Sequence, residues 1–568
     1  MKKLILIFSI CILIICNGCN ELDLAPLSEA SDVTWFSDEN EVEMSLVDVF
    51  NNSFWNEYAP LKFYFNSDDY CRRTDLRTLT NGTVTGKSGD ITSAWNSCYK
   101  CIARANFLLS NYDKSGNIAQ EKLNMYAANA KFARATQYSK LIFLFGDVPY
   151  YEVPLTIEEA FSTGRTNKVE VLKKIYNDYD FAIENLPEEY GSSEYQFATK
   201  GAALAFKARI ALYMGDYAIA RDAAKACVEL GTYKLFPDYE TLFLAKTKNS
   251  IETIFAVPYS VEKNSIWISG VCKDCITRTA GGYCSCSPSW DLFCSYLCTD
   301  GLPIDESPLF NPHEPFKNRD PRCSATIVEF GREWLGYTYT PHPDSIYVLN
   351  HNTGQMVKNM DNRANSTWAS FNGLAWAKHM DETWLDQKTD NDNIIMRYAD
   401  VLLMYAEAKI ELGEIDGTVL DVMNQVRARA YGVDFNQTSS YPVITSTSQS
   451  ELRKILRIER RMEFAQENVI RYNDIMRWRL AEKVLNLPRY GMLDVDQLRE
   501  KVVNQGLWFF PETPPIDEDG IADFKPLYDA GLVRILAKRC FNAPQNYLWP
   551  IPSTEIFIND NITQNPGY

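Results

Sequence analysis

Six cysteines, Cys272, Cys275, Cys284, Cys286, Cys294 and Cys298, crowd one short stretch of the chain. Thiols at this density can bridge, remain free or hold a metal. Cys-x2-Cys followed by Cys-x-Cys lacks the repeated two-residue spacing of a structural zinc ribbon, and outside the cytoplasm disulfides are the default. Disulfides or free thiols are therefore expected, with a pairing that the sequence leaves open. Other reactive patterns are thin. The four histidines, at 313, 342, 351 and 379, form no metal-binding pair on a helix, and there is no nucleophile elbow or phosphate-cradling glycine loop. A glycosidase would need two carboxylates on opposite sides of a sugar bond, a geometry that spacing along the chain does not show. No enzyme activity, cofactor or metal is expected. Flat rings are plentiful instead, at 13% aromatic residues with 32 Tyr and 12 Trp. Rings cover the apolar faces of sugars, while polar side chains must satisfy the hydroxyls, because a buried unpaired hydroxyl costs about 1 to 3 kcal/mol. Two regions offer that mixture. One is Asn66-Ser67-Asp68-Asp69-Tyr70 with Arg72 and Arg73, near Trp95; the other is a loop block holding Trp267, Tyr283, Trp290, Trp334, Tyr337, Tyr339, Trp368 and Trp376. Most of these rings are expected in the core. Trp334, Tyr337 and Tyr339, flanked by glycines, are expected to be the most exposed, and disulfides could hold Tyr283 and Trp290 rigid in advance of binding.

The N-terminus constrains where this chemistry takes place. Lys2 and Lys3 precede an apolar run from Leu4 to Ile15, and Cys16-Asn17-Gly18-Cys19 follows. This resembles a bacterial lipoprotein signal, with residues 1–18 removed and Cys19 lipidated. The run is too short to span a bilayer as a helix, which takes about 20 residues. With 74 acidic against 57 basic residues the net charge is −17, which disfavours nucleic acid and anionic polysaccharide as main ligands and suits a neutral glycan.

The scaffold reads as helical. Residues 19–34 are a polar linker containing Pro26, and helical periodicity begins near Asp38. In Thr199–Leu230, Ala202, Ala205, Ala208 and Leu212 form one stripe, Gly215-Asp216-Tyr217 a turn, and Ala220, Ala223 and Ala224 the answering face. That turn follows the logic of tetratricopeptide hairpins. The same design is expected from Asn393 to Tyr431. Asn167 with Glu170, and Ser448 with Glu451, read as helix caps. The expectation is a mainly α fold forming a single domain over 35–568, with hairpins mainly at 120–231 and 393–485. Loop-rich regions at 232–392 and 486–546 are expected to carry function.

Motifs spread along the chain agree with one family. They are Trp95, Tyr99, Ile102, Arg104 and Asn106; Ala130–Ala135 leading to Phe145-Gly146-Asp147-Val148-Pro149; and Phe316–Arg322. Next come Arg397–Leu403 with Tyr405–Ala408, then Ile455–Trp478 holding Glu459-Arg460, Glu463-Phe464, Arg471, Asp474 and Arg477-Trp478. Tyr547–Pro552 and Gln564–Tyr568 close the series. Together they resemble the SusD-like (RagB/SusD) family of outer-membrane nutrient-binding lipoproteins. The resemblance implies about four tetratricopeptide-like hairpins, a lipid-anchored protein on the outer membrane facing the exterior, and a SusC-type TonB-dependent transporter as partner. It also implies ligand contacts in the loop before the Trp95 motif, so Asp68, Asp69 and Arg72 become candidates beside Trp95, Trp267, Tyr283, Trp290, Trp334 and Tyr337. The function it implies is non-catalytic capture of oligosaccharide, with peptide or another nutrient as the alternative and an all-helical glycosidase less favoured. The charged residues of 455–478 read as ion pairs that lock helices, Arg471 meeting Asp474 one turn on.

Overall fold

Alanine at close spacing sets the middle of the fold. The computed structural model describes residues 35–58, 66–73, 77–114, 116–191, 197–267 and 269–568, so the leader, Cys19 and the linker lie outside the described residues. Helix α1 (Glu39–Val49) opens on Asp38, whose side chain accepts from the Glu41 amide. It is followed by α2 (Gly89–Leu109), α3 (Gln120–Phe145) and α4 (Lys168–Asn185), the last capped by Asn167. The expected hairpin is α5 (Lys200–Met214) and α6 (Tyr217–Glu229). Gly215 ends α5 in the left-handed region at φ 85°, a conformation costly for a side chain with a Cβ. Ala202, Ala205, Ala208, Ala220 and Ala224 are fully buried between neighbours. Small side chains there let the helix axes approach closely.

Further along come α7 (Tyr398–Leu412), α8 (Gly417–Ala430), α9 (Gln449–Glu463) and α10 (Ile470–Arg477). Each helix from α2 to α8 packs on the next in the series, and α7 also meets α9. The contact of α6 with α7 is made although residues 230–397 separate them in the chain, so the loop-rich region is an excursion from one continuous helical stack. The start of the second hairpin differs from expectation. Asn393–Arg397 is a strand, paired antiparallel with Thr253–Val257, and the helix begins only at Tyr398. Ile394, Ile395 and Met396 suit a pleated, half-buried surface, and the excursion supplies the partner strand. Ser448 also departs from expectation, since its side chain makes no cap bond; the Ser446 hydroxyl donates to Glu451 at 2.7 Å instead.

Ion pairs hold the stack, and they come in balanced sets. Arg322, Arg397, Arg427, Arg429 and Lys378 meet Asp320, Glu252, Glu459, Glu463 and Glu467, five cations against five carboxylates. Arg322 reaches Glu459 at 2.7 Å and Glu463 at 3.0 Å, and Arg397 lies 2.7 Å from Glu252, Glu463 and Glu467. Arg209, Arg460 and Arg477 likewise answer Asp400, Glu407 and Asp474. The helix-locking role expected of these charges is what the structure shows, but Arg471 pairs with Asp68 rather than Asp474. Arg319 pins its turn, donating to the carbonyls of Phe293, Pro315 and Tyr296.

The excursion shares a second core with the loop-rich region near the C-terminus, in which Trp290, Phe293, Trp376, Trp384, Phe510 and Phe524 are buried. Short antiparallel ladders tie it together: β1 (Tyr70–Arg72) with β3 (Cys286–Pro288), and β9 (Arg489–Gly491) with β10 (Arg534–Ala537), while Thr253–Val257 and Asn393–Arg397 are β2 and β8. A four-stranded sheet runs β4 (Glu333–Trp334), β5 (Tyr337–Thr338), β6 (Tyr347–Asn350), β7 (Gln355–Lys358). Among the described residues no helix is long and apolar enough to cross a membrane.

Candidate functional site

The β1–β3 ladder joins the two sequence regions that mix rings with polar groups. Tyr70 registers with Pro288, Cys71 with Ser287 and Arg72 with Cys286, and the Arg73 amide adds a bond to the Ser285 carbonyl at 3.0 Å. Arg73 therefore emerges beside the turn that carries Tyr283. That turn folds back on the short helix Ser269–Cys275, with the amides of Cys284 and Ser285 donating to the carbonyls of Ile276 and Asp274 at 3.0 and 2.9 Å. Gly282 makes the approach possible, because a Cβ there would stand 2.2 Å from the Ile276 carbonyl oxygen.

Trp368 arrives on a third segment, held at both ends by asparagine amides. Asn359 donates to the carbonyls of Thr340 and Ser345 at 2.9 and 2.8 Å, and Asn365 to those of Ile346 and Asn359 at 2.7 and 2.9 Å. On the far side Asn372 donates to the Pro288 carbonyl at the end of β3, at 2.7 Å, and its own carbonyl accepts from the Trp290 indole at 2.8 Å. The backbone carrying Trp368 is thus tied to the ladder before any ligand arrives.

The result is two exposed rings bridged by a guanidinium. Tyr283 is 47% and Trp368 52% exposed. Arg73 Nη1 donates to the carbonyls of both Tyr283 and Trp368, and its guanidinium carbon lies 5.2 Å from the Trp368 ring centroid. Arg278 donates to the Tyr283 carbonyl at 3.3 Å, and Lys273 Nζ lies 5.9 Å from the Tyr283 ring. Burial and the charge of Arg278 both hold Arg73 below its ordinary arginine value. The two local carboxylates are already engaged. Asp274 accepts from the Ser285 hydroxyl and stands 4.0 Å from Arg72, and buried Asp361 accepts from the amides of Arg278 and Thr279 at 2.7 and 3.1 Å. Two exposed rings beside cationic side chains can stack on a pyranose face and donate hydrogen bonds to its substituents.

Of the expected contact residues, the structure brings Arg72 and Tyr283 to this platform. Most of the others are buried, which corrects their place as contact candidates and agrees with the expectation that most of the rings lie in the core. Asp68 and Asp69 are buried, with Arg471 2.7 Å from Asp68 and Arg461 2.7 Å from Asp69. Burial works to raise the Asp68 carboxyl, but Arg471 and Arg461 hold it well below the usual range. Trp95 is packed against Tyr99 and Phe145, with ring centroids 4.8 and 5.0 Å away. It lies beneath a groove of about 890 Å³ whose rim includes Lys100, Arg104 and Glu555. Trp267 donates its indole N–H to Asn391 at 2.6 Å and contacts Trp384, and Trp290 is the buried brace of Asn372. Trp334 and Tyr339, expected to be exposed, are buried, the latter bonding Gly373 at 2.9 Å; Tyr337 is half-buried in β5. Trp376 is buried too. All twelve described cysteines, including the six of the cluster, are free thiols, so the cluster does not stiffen its loop by disulfides. Burial pushes the Cys272 and Cys286 thiols up to about 11. Among the described residues no group of three or more metal-ligating side chains is assembled.

Lys273 and Arg278 are the residues that the sequence did not bring out, while Arg73 and Trp368 lay in the two mixed regions without being put forward as contacts. A signal existed for the tryptophan, which sits in the polar run Asn365-Ser366-Thr367 without apolar neighbours on its N-terminal side. The arginines carried none, since their proximity depends on a ladder between strands far apart in the chain.

Comparison with known proteins agrees with this architecture. A family model described as the SusD family matches residues 251–568, and a model described as starch-binding, associating with the outer membrane, matches residues 29–212. A SusD-like protein, P2, of Formosa agariphila is 24% identical over 585 aligned residues, covering 100% of both chains. Among solved structures, a SusD-like carbohydrate-binding protein from Bacteroides fragilis is 27% identical with a TM-score of 0.76, over 93% of this chain and 99% of its own. A laminarin-binding SusD-like protein shares the fold at 20% identity and a TM-score of 0.62, over 94% and 100% of the two chains.

Proposed function

This chain belongs to the SusD family, and we propose that it captures saccharide without catalysis at the Tyr283–Trp368 platform and passes it to a SusC-type TonB-dependent transporter of the outer membrane. Acylation at Cys19 would tether it to that membrane with the platform facing outward. The observation that carries the reading is two exposed rings whose backbone carbonyls are both held by Arg73. Holding the backbone of both rings in advance lowers the ordering cost of binding. The printed descriptions of relatives as carbohydrate-binding and laminarin-binding support saccharide as the cargo. The engagement of Asp274 and Asp361 with neighbouring donors supports capture rather than cleavage, because a glycosidase keeps an acid and a base free to face the scissile bond.

The test is calorimetric titration of the protein lacking residues 1–19 against soluble polysaccharides and peptides, with reducing ends assayed in every mixture. Saturable binding to a saccharide without new reducing ends is the expected result. Turnover, or binding to peptides alone, would overturn the proposal.

A further inference from the structure

The rim of the platform differs in its charges from the ion-pair sets of the helical stack. In the helical stack two buried sets balance, five cations against five carboxylates in the larger and three against three around Arg460. Around Tyr283 and Trp368 stand Arg72, Arg73, Lys273 and Arg278, against Asp274 and Asp361. Arg72 stands 4.0 Å from Asp274. Among the described residues no ion pair is made by Arg73, Lys273 or Arg278, and the Nε groups of Arg73 and Arg278 are buried without a hydrogen-bond partner. Asp361 spends its oxygens on backbone amides. The excess continues along the same segment, where Arg363 and Arg534 flank the Phe371 ring at 4.6 and 5.3 Å and share Asp494.

Arg73 and Arg278 repel one another, and among the described residues neither has a carboxylate within ion-pair range, so an anionic group brought by a ligand would relieve that repulsion. Guanidinium groups match carboxylate and sulfate oxygens with two parallel donors, a geometry that a neutral hydroxyl does not use as fully. The overall charge of −17 is no obstacle at contact range, because physiological salt screens charges beyond about 8 Å and leaves the local field to decide. We propose that the platform selects acidic saccharides, whose uronate carboxylates or sulfate esters are met by Arg73, Arg278 and Lys273 while Tyr283 and Trp368 stack on the ring. This rests on the reading of the platform as the saccharide site, and it replaces the neutral glycan that the overall charge suggests.

The experiment compares the wild-type chain lacking residues 1–19 with Arg73→Gln/Arg278→Gln and with Trp368→Ala, by affinity electrophoresis and calorimetry at low and high salt. The probes are polygalacturonate for carboxylates, carrageenan for sulfate esters, and pullulan and galactomannan as neutral polymers. The expected result is binding to one or both acidic polymers that weakens with salt, falls roughly tenfold or more in the double arginine variant, and is lost in Trp368→Ala. Which acidic polymer binds identifies the anionic group. Arg73→Lys/Arg278→Lys, which keeps both charges, retains salt-dependent binding and guards against a fold defect in the glutamine variant. Neutral polymer bound equally by wild type and the glutamine variant, but lost in Trp368→Ala, would overturn the acidic preference and leave the platform standing. Binding that ignores all these substitutions, or no binding to any of the polymers, would overturn both.

Discussion

The helical stack and the Tyr283–Trp368 platform treat the same residue type in opposite ways. In the stack, arginines are buried and matched; Arg322, Arg397 and Arg460 are among the largest fully buried side chains, and each touches at least two carboxylates. On the platform Arg73 and Arg278 are half-buried and spend their donors on carbonyls, which offer hydrogen bonds but no neutralising charge. The stack's charges are complete without a ligand, whereas the platform's are not. Charge balance thus marks the ion-pair sets of the stack, while the cations of the platform are anchored by carbonyls, as buried Arg319 is.

The difference can be broken first where it is largest. Glu463→Gln leaves Arg322, Arg397 and Arg429 short of a shared partner in the interior, and removing one member of a buried ion set costs about 3 to 5 kcal/mol. Chemical denaturation is expected to show that loss, with little change in saccharide affinity for the fraction that remains folded. Trp368→Ala should behave inversely, with binding roughly tenfold weaker or worse, and stability within about 0.5 kcal/mol because the ring is 52% exposed. A stability loss as large as that of Glu463→Gln would show Trp368 to be scaffold.

Proton linkage sharpens the scaffold side. Burial alone would raise the Asp400 carboxyl, but Arg460 and Arg209 pull it down to about 2. Its folded value lies below its unfolded one, so its contribution is fully present above about pH 4 and fades as pH falls toward 2. The gap in unfolding free energy between wild type and Asp400→Asn should accordingly be constant from pH 7 to about 5 and close below pH 4. A gap independent of pH would show that Asp400 acts by shape rather than charge. The smallest effect concerns the thiols. Beyond residue 19 the chain has twelve cysteines, of which only Cys540 is less than buried, so a thiol reagent should label about one site quickly in the native protein and twelve after denaturation.

The sequence made the scaffold legible and the site largely not. Alanine stripes, Gly215 and the Asn167 cap are local signals, and each specifies its structure within a few residues. The strand at Asn393–Arg397 was hidden because its partner lies at Thr253–Val257, and strand pairing over that distance leaves no periodic trace. The same physics hid the site. Asp68 and Asp69 have the composition of ligand contacts, yet Arg461 and Arg471 claim them from the other end of the chain. Trp334 has flanking glycines that suggest exposure, but it folds into β4 beside a core the sequence does not outline. Tyr283 and Arg72 were legible as candidates, while their assembly with Arg73, Arg278 and Trp368 depends on the β1–β3 ladder and the asparagine braces.

The central claim is that the Tyr283–Trp368 surface, and not the buried aromatic residues, is where saccharide binds. The most direct measurement is calorimetric titration of one saccharide that the wild-type chain binds, repeated on Trp368→Ala and Tyr283→Ala, with thermal unfolding of each variant alongside. The account predicts wild-type melting in both variants and affinity at least roughly tenfold lower in each. Unchanged affinity in two folded variants would contradict it and send the search to the groove above Trp95.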